Sequence, residues 1–256
     1  MEKIKEAFGI VSDVHKEHGL LEDVLARLEK EKIGALACLG DLDDIEALRM
    51  LMEWKAGKRL FQVLSNHDFA ALHETHAPME SRTTRWEDIL NFRGSLDADA
   101  EAKSYFGSLP LSETVTIESL FGPFKAFFVH GALRGKTAHR GITRPGDIGV
   151  EIGQQELYYL WADIVDEQDE DANFVEMIAR KISLLVRGHQ HSASFIDSKG
   201  TRVEPRKTER IALRPGVEQI ATMPALTPAY GAPGYAVCFP RGTKKIKRPF
   251  LEYRMF

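Results

Sequence analysis

Over the first 65 residues the apolar positions switch between two spacings, and the switching predicts strands separated by helices. Residues 7–11 (AFGIV) form a short apolar run. Leu20, Leu21, Val24, Leu25 and Leu28 then recur at the spacing of one helical face, closed by the charged residues 29–32. A second apolar run covers 34–39 (GALACL), Ile45, Leu48, Leu51 and Met52 mark a second helix, and a third run covers 60–64 (LFQVL). Strands alternating with helices predict parallel βαβ units. Residues 69–108 break the alternation. They carry Pro78, Trp86 and the acidic stretch 97–101, and they read as short helices and loops that form a candidate helical cap.

Strand patterns return at 113–117 and 125–129, followed by a glycine- and arginine-containing loop over 134–150. Helices are predicted at 154–165 and 172–181, and another apolar run at 184–186. Beyond it, 195–197, 217–222, 235–239 and 250–253 read as strands between proline-glycine turns, which predicts a second sheet packed face to face on the first. The expectation is a single α/β domain over residues 1–256, built on two packed mixed β-sheets flanked by helices.

Composition narrows the class of protein. Of 256 residues, 43% are hydrophobic and 28% charged, which is the balance of a folded domain and not of a disordered or collagenous chain. The net charge of −4 argues against a partner that is nucleic acid or an anionic membrane. No apolar run approaches a membrane span, and 7–11 is too short for a secretory h-region. Cys38 and Cys238 are far apart and belong to no C-x-x-C pair, so neither a disulfide framework nor a thiolate metal site is expected. These features predict a cytoplasmic protein.

Candidate chemistry gathers at the ends of the predicted strands. The first ends in Asp13 and His15, the second in Asp41, the third in Asn66 and His67. The later ones end in His130 and in His189 and His191. In parallel α/β sheets ligands bind outside the carboxyl ends of the strands. Imidazole, carboxylate and one amide oxygen, without thiolate, suit divalent manganese, iron, zinc or cobalt. In an extended segment residues i and i+2 share a side, so Asp13 and His15 are expected to reach one ion, as are His189 and His191. Asp41 can bridge two ions. Asn66 and His67 are adjacent and point apart, so one can ligate while the other faces substrate.

In that order, Asp13-x-His15, Gly40-Asp41-x-x-Asp44, Asn66-His67-Asp68, Val129-His130-Gly131 and Gly188-His189-x-His191 resemble the calcineurin-like metallophosphoesterase superfamily. Further elements resemble its phosphoprotein phosphatase (serine/threonine phosphatase) branch, in a prokaryotic form. These are Phe106-Gly107-Ser108-Leu109-Pro110-Leu111, Thr143-Arg144-Pro145, Leu160-Trp161-Ala162-Asp163 and Val186-Arg187-Gly188-His189-Gln190. The resemblance implies a four-layer αββα sandwich and a phosphatase that hydrolyses phosphomonoesters by a metal-activated hydroxide. Two divalent ions are implied, manganese first, with iron, zinc, cobalt or nickel as other occupants. One ion would be held by Asp13, His15 and Asp41 with His191 in reach, and the other by Asp41, Asn66, His130 and His189. His67 would be the general acid, Asp44 would hold its imidazole in the right tautomer, and Arg187 would grip the phosphate.

Several positions depart from the branch. Ile45 stands where a second phosphate-clamping arginine is expected, Leu64-Ser65 replaces Arg-Gly, Asp68 replaces Glu, and His191 is present where the eukaryotic enzymes usually lack a ligand. Arg134, Arg140 and Arg144 are candidates to replace the missing clamp. The expected substrate is a phosphorylated serine or threonine of a protein, or a small phosphoester. A symmetrical dinucleoside tetraphosphatase is the alternative, with Trp86 or Tyr105 stacking on adenine. A phosphodiesterase or nuclease is disfavoured by the negative charge, and a non-catalytic scaffold by the filled ligand positions. Tyr158, Tyr159 and Trp161 are read as core, and 244–248 as an exposed basic turn.

Overall fold

A computed structural model describes residues 2–73, 84–137, 152–230 and 232–256. Its first half runs β1 (Glu2–Ile4), β2 (Phe8–Val11), α1 (His18–Lys30), β3 (Ala35–Cys38), α2 (Ile45–Gly57), β4 (Arg59–Gln62), α3 (Asn66–Leu72), α4 (Thr84–Ala98) and α5 (Ala100–Gly107). The chain continues through β5 (Ser112–Ser119), β6 (Gly122–Val129), α6 (Gln154–Trp161), α7 (Glu167–Arg180), β7 (Leu184–Arg187) and β8 (Ser194–Asp197). It closes with β9 (Arg202–Val203), β10 (Glu209–Ala212), β11 (Gln219–Thr222), β12 (Gly234–Phe239) and β13 (Phe250–Met255).

The strands form two mixed sheets, ordered β10-β13-β12-β2-β3-β4 and β1-β5-β6-β7-β11-β8-β9. Side chains alternate across each strand, and that alternation sorts the apolar residues into layers. Phe8, Ile10, Ala35, Ala37 and Phe61 of the six-stranded sheet face Val115, Phe124, Phe128, Leu184 and Val186 of the seven-stranded one. The intervening residues Val11, Leu36, Cys38 and Val237 turn outward onto α1, α2, α4 and α5. On the other flank, Phe127, Val129, Leu185 and Ile220 pack against Phe174 and Met177 of α7, with Tyr159 of α6 alongside. The result is helices, sheet, sheet, helices.

The stretch read as a cap contributes α4 and α5. Ile89, Phe92, Leu96, Ala102 and Phe106 are buried with Leu48, Leu51 and Trp54 of α2, so these helices extend the outer layer of the six-stranded sheet. The remainder of that stretch, 74–83, lies outside the described residues. Two helix boundaries differ from expectation. α6 ends at Trp161, and α7 begins at Glu167 because the Asp166 side chain accepts the Asp169 N–H and caps the first turn. The strand β1 carries no sequence signal. Only Ile4 of its three residues is buried, and it is held by parallel pairing to β5, more than a hundred residues away. No described helix is long and apolar enough to cross a membrane.

β2, β3 and β4 are parallel, as are β6 and β7, and all five end on one edge of the sandwich. The backbone N–H of Asp13 donates to Gly40 O, that of His15 to Asp41 O and that of Gly188 to His130 O. These bonds lace the loops of that edge together within and between the strands they follow.

Candidate metal centre

Loops, not extended strand ends, carry the candidate ligands. Asp13, His15, Asp41, Asp43, His189 and His191 hold φ of 52°, 42°, 55°, 51°, 67° and 61°. Left-handed backbone at residues other than glycine costs on the order of 1–3 kcal/mol each and concentrates at functional sites. Of the two i, i+2 pairs expected to share an ion, Asp13 and His15 do lie in one group and His189 and His191 do not. His191 Nε2 lies 3.1 Å from Asp13 Oδ1 and 3.5 Å from His15 Nε2, whereas His189 Nδ1 lies 3.1 Å from His130 Nε2. Residues 189 and 191 therefore turn to opposite sides of the centre.

Six side chains converge, those of Asp13, His15, Asp41, His130, His189 and His191. Atoms of Asp13, His15, Asp41 and His191 that could act as ligands lie within 4.8 Å of one another. Asp41 Oδ2 stands 3.4 Å from His15 Nε2 and 3.5 Å from His130 Nε2, midway between the two groups. His130 Nδ1 donates to Leu39 O at 2.8 Å, which leaves Nε2 as the lone-pair nitrogen of the neutral ring, directed at Asp41 and His189. Asn66 opens α3, and its Oδ1 is buried with no hydrogen-bond partner. An unsatisfied buried acceptor beside clustered imidazoles and carboxylates is what a divalent cation would complete. The residues present fit such an ion.

Charge on the centre follows from its packing. Burial alone would raise the carboxyls of Asp13, Asp41 and Asp43, but the surrounding imidazoles outweigh it and hold all three well below the usual carboxylate range. Asp68 moves the other way. Burial and the charge of Asp41 push its carboxyl up to about 6, against hydrogen bonds from the Ser65 and Leu42 N–H groups.

The structure changes three of the sequence assignments. Asp44 does not touch His67. It caps α2 by accepting the Glu46 N–H at 3.1 Å, and its other oxygen meets His18 Nδ1 at 2.6 Å. The carboxylate against His67 is Asp43, with both oxygens 3.0 Å from Nδ1. The cause is local. A residue immediately before a helix takes extended backbone and turns its side chain back on the first turn, and that is the conformation of Asp44. Its position just ahead of the helical pattern of Ile45 and Leu48 is the signal that marks it as a cap.

Arg187 is the second change. It is fully buried, and its guanidinium is used inside the protein. Nε donates to Gly131 O at 2.7 Å, Nη2 to Ala162 O at 3.1 Å, and Nη1 to Gln190 Oε1. A guanidinium enclosed by these loops on the helix-facing side of β7 does not present its fork to a substrate at the edge. The network explains why motifs far apart in sequence occur together, because the loops around Gly131, Ala162 and Gln190 all close on this one side chain. Asp163, missed from sequence, adds a buried carboxylate 3.8 Å from both Arg187 Nη2 and His189 Nε2.

The third change concerns the clamps and the aromatic residues. The Arg134 guanidinium lies 3.5 Å from Glu176 and over the Tyr158 ring. Arg140 and Arg144 lie outside the described residues. Trp86 and Tyr105 pack against the apolar cluster beneath α2, and the Tyr105 hydroxyl donates to Gln62 at 2.8 Å, so neither offers a stacking face at the centre. Trp161 is buried edge-on to Phe69, as a core residue.

A sandwich of two mixed sheets with imidazoles and carboxylates gathered on one loop edge defines a class of metal-dependent hydrolase, and the sequence matches it. The chain belongs to the calcineurin-like phosphoesterase superfamily, whose domain matches residues 7–217. That family comprises phosphoester hydrolases, which typically bind divalent metals. A metallophosphoesterase from Sphaerobacter thermophilus is similar over 98% of this chain and 88% of its own, at 17% identity and a TM-score of 0.66. A hypothetical protein from Pyrococcus horikoshii covers 84% of this chain and 87% of its own at 11% identity, with a TM-score of 0.53. A protein serine/threonine phosphatase from Saccharomyces cerevisiae covers 99% and 83%, at 14% identity and 0.52. At these identities the likeness is one of fold. No protein of curated function matches the sequence.

Proposed function

We propose that this protein is a binuclear-metal phosphomonoesterase acting on alkyl phosphates, with phosphoserine or phosphothreonine of a protein as the substrate class. One ion would be held by Asp13, His15, Asp41 and His191, the other by Asp41, Asn66, His130 and His189, with Asp41 between them. Two divalent ions so placed supply a water of lowered pKa and positive charge against the phosphoryl oxygens. The remaining chemistry belongs to the protein. The observation that carries the reading is His67, a single imidazole beside the ligand cluster with its Nδ1 on a carboxylate and the Asp41 Oδ1 accepting its backbone N–H at 3.4 Å. Nδ1 donates to Asp43, which directs Nε2 to the opposite side of the ring. From there Nε2 can hand a proton to the ester oxygen as the P–O bond breaks.

An aryl oxide leaves without help, whereas the alkoxide of serine or threonine needs that proton, and such acid catalysis is worth ~10²–10⁴ in rate. An open cleft of about 540 Å³ begins at His191 and is lined onward by Ser194, Pro205 and Arg206, which leaves room for a chain on that side of the phosphorylated residue. The tetraphosphatase alternative loses its adenine platform with Trp86 and Tyr105 turned into the outer layer.

The test offers a phosphothreonine peptide and diadenosine tetraphosphate together to the manganese-loaded protein, with products resolved by mass. The peptide is expected to lose phosphate while the nucleotide stays intact, and His67→Asn should reduce peptide turnover by ~10²-fold or more. Cleavage of the nucleotide to ADP with the peptide untouched overturns the assignment.

A further inference from the structure

One carboxylate at the centre is shared by two imidazoles. Asp43 Oδ2 lies 2.8 Å from His15 Nδ1 and 3.0 Å from His67 Nδ1, and its Oδ1 is also 3.0 Å from His67 Nδ1. The two rings meet edge to face, 5.1 Å between centroids and 66° between planes. Asp43 is buried against both rings, and a carboxylate only accepts hydrogen bonds. Both rings must then present Nδ1–H to it, and both must turn Nε2 away from it.

For His15 the consequence is a clamp across the ring. Asp43 takes Nδ1, and on the far side Nε2 faces Asp41 Oδ2 at 3.4 Å and His191 Nε2 at 3.5 Å. Asp41 and Asp43 are two residues apart, both in left-handed backbone, with buried Leu42 between them. The second and third acids of the run Asp41-Leu42-Asp43-Asp44 thus divide their work. Asp44 is committed to the α2 cap and His18, and Asp43 is left to serve the centre.

We propose that Asp43 is a positioning residue for two different functions at once. It holds His15 in the tautomer and orientation of a metal ligand, and it holds His67 with Nδ1–H fixed on the carboxylate, so that Nε2 is the nitrogen that takes up a proton and delivers it, registered to the metal site through a single side chain. The inference rests on the phosphatase reading for the role of His67, and not for the geometry. Second-sphere carboxylates of this kind fix ring orientation, and their loss typically weakens metal binding by about 10–100-fold.

The experiment begins on metal-free protein. Long-range proton–nitrogen correlation spectra of the imidazoles should show Nδ1 protonated in both His15 and His67 of the wild type. Asp43→Asn, nearly isosteric, should move both sets of signals, while Asp44→Asn should move those of His18 and leave the other two in place. Calorimetric titration of Asp43→Asn with Mn²⁺ should show affinity lowered about 10–100-fold. Its turnover of a phosphothreonine peptide should fall at least tenfold more than its turnover of p-nitrophenyl phosphate, whose leaving group needs no proton, and Asp43→Glu should recover part of both losses. Should Asp43→Asn fail to fold, the wild-type spectrum still decides, because an Nε2–H tautomer at either His15 or His67 overturns the proposal. So does an Asp43→Asn protein whose two imidazoles are unmoved, or an Asp44→Asn protein in which they move. A wild type with the expected tautomers that cleaves no phosphomonoester overturns the function reading instead and leaves the shared carboxylate standing.

Discussion

Arg187 shows how burial decides what a charged residue does. Its guanidinium sits at 0% exposure, hydrogen-bonded to two carbonyls and an amide oxygen, and burial lowers its pKa to about 10 against the opposing charge of Asp163. Removing one partner of a buried, hydrogen-bonded charge leaves the others unsatisfied, at a cost of about 3–5 kcal/mol. Arg187→Met is therefore expected to lower Tm by on the order of 10 °C in thermal unfolding. The surviving folded protein should keep its KM for a phosphomonoester. A large rise in KM without loss of Tm would restore the phosphate clamp that the sequence motif implies. The same logic separates Asp43 from Asp44, adjacent and chemically identical, where backbone angle alone sends one side chain to the centre and the other to a helix cap.

At the scale of elements, the centre depends on how the loops after β3 and β4 are tied together. Asp68, in the first turn of α3, is the tie. Its carboxylate accepts the N–H groups of Ser65 at 3.0 Å, Leu42 at 3.1 Å and Asp41 at 3.2 Å, and Ser65 returns the bond to complete a capping box. Gly40 crosses directly over it with φ of 90°, where a Cβ would stand 2.5 Å from Asp68 Oδ2. Asp68→Ala strands three buried donors and is expected to cost about 2–4 kcal/mol. Because Asp41 and Asn66 sit on the two loops it joins, Mn²⁺ affinity should fall with it. Chemical denaturation and calorimetric titration of the same variant check the pair of effects, and an unchanged metal affinity would show that the loops hold their places without the tie.

At the scale of the whole molecule, the centre lies on the seam of the sandwich. Asp13, Asp41 and Asn66 follow strands of the six-stranded sheet, and His130, His189 and His191 follow strands of the seven-stranded one. An ion held there by residues of both sheets would tie the two halves of the core together and offset the mutual repulsion of the buried carboxylates. Binding to the folded state alone stabilises it by RT ln(1 + [L]/Kd), about 2.7 kcal/mol at a hundredfold excess over Kd. Chelator-treated protein should melt several degrees lower than protein in excess Mn²⁺, and readdition should restore the difference. His67→Asn, which removes no ligand, should show the same metal-dependent shift. His130→Ala should lose most of it.

What could be read from the sequence alone were the quantities that depend on neighbours along the chain. The switching periodicity specified β2, α1, β3, α2 and β4 in order, because each buries one face and the apolar spacing records which. Which residues reach the common edge was equally legible, since the ends of parallel strands in a sheet share an edge whatever the details of the loops. Strands such as β1, β9 and β10 were not legible. They are short, edge or near-edge segments with few buried residues, held by partners distant in sequence. The tertiary structure decided where each polar side chain points. The cap at Asp44 is local, but left-handed backbone at Asp13, Asp41, Asp43 and His189 and the loops that close on Arg187 arise from packing that no local pattern contains. Local sequence determines which residues reach the edge of the sandwich, and the contacts between loops determine which of them meet.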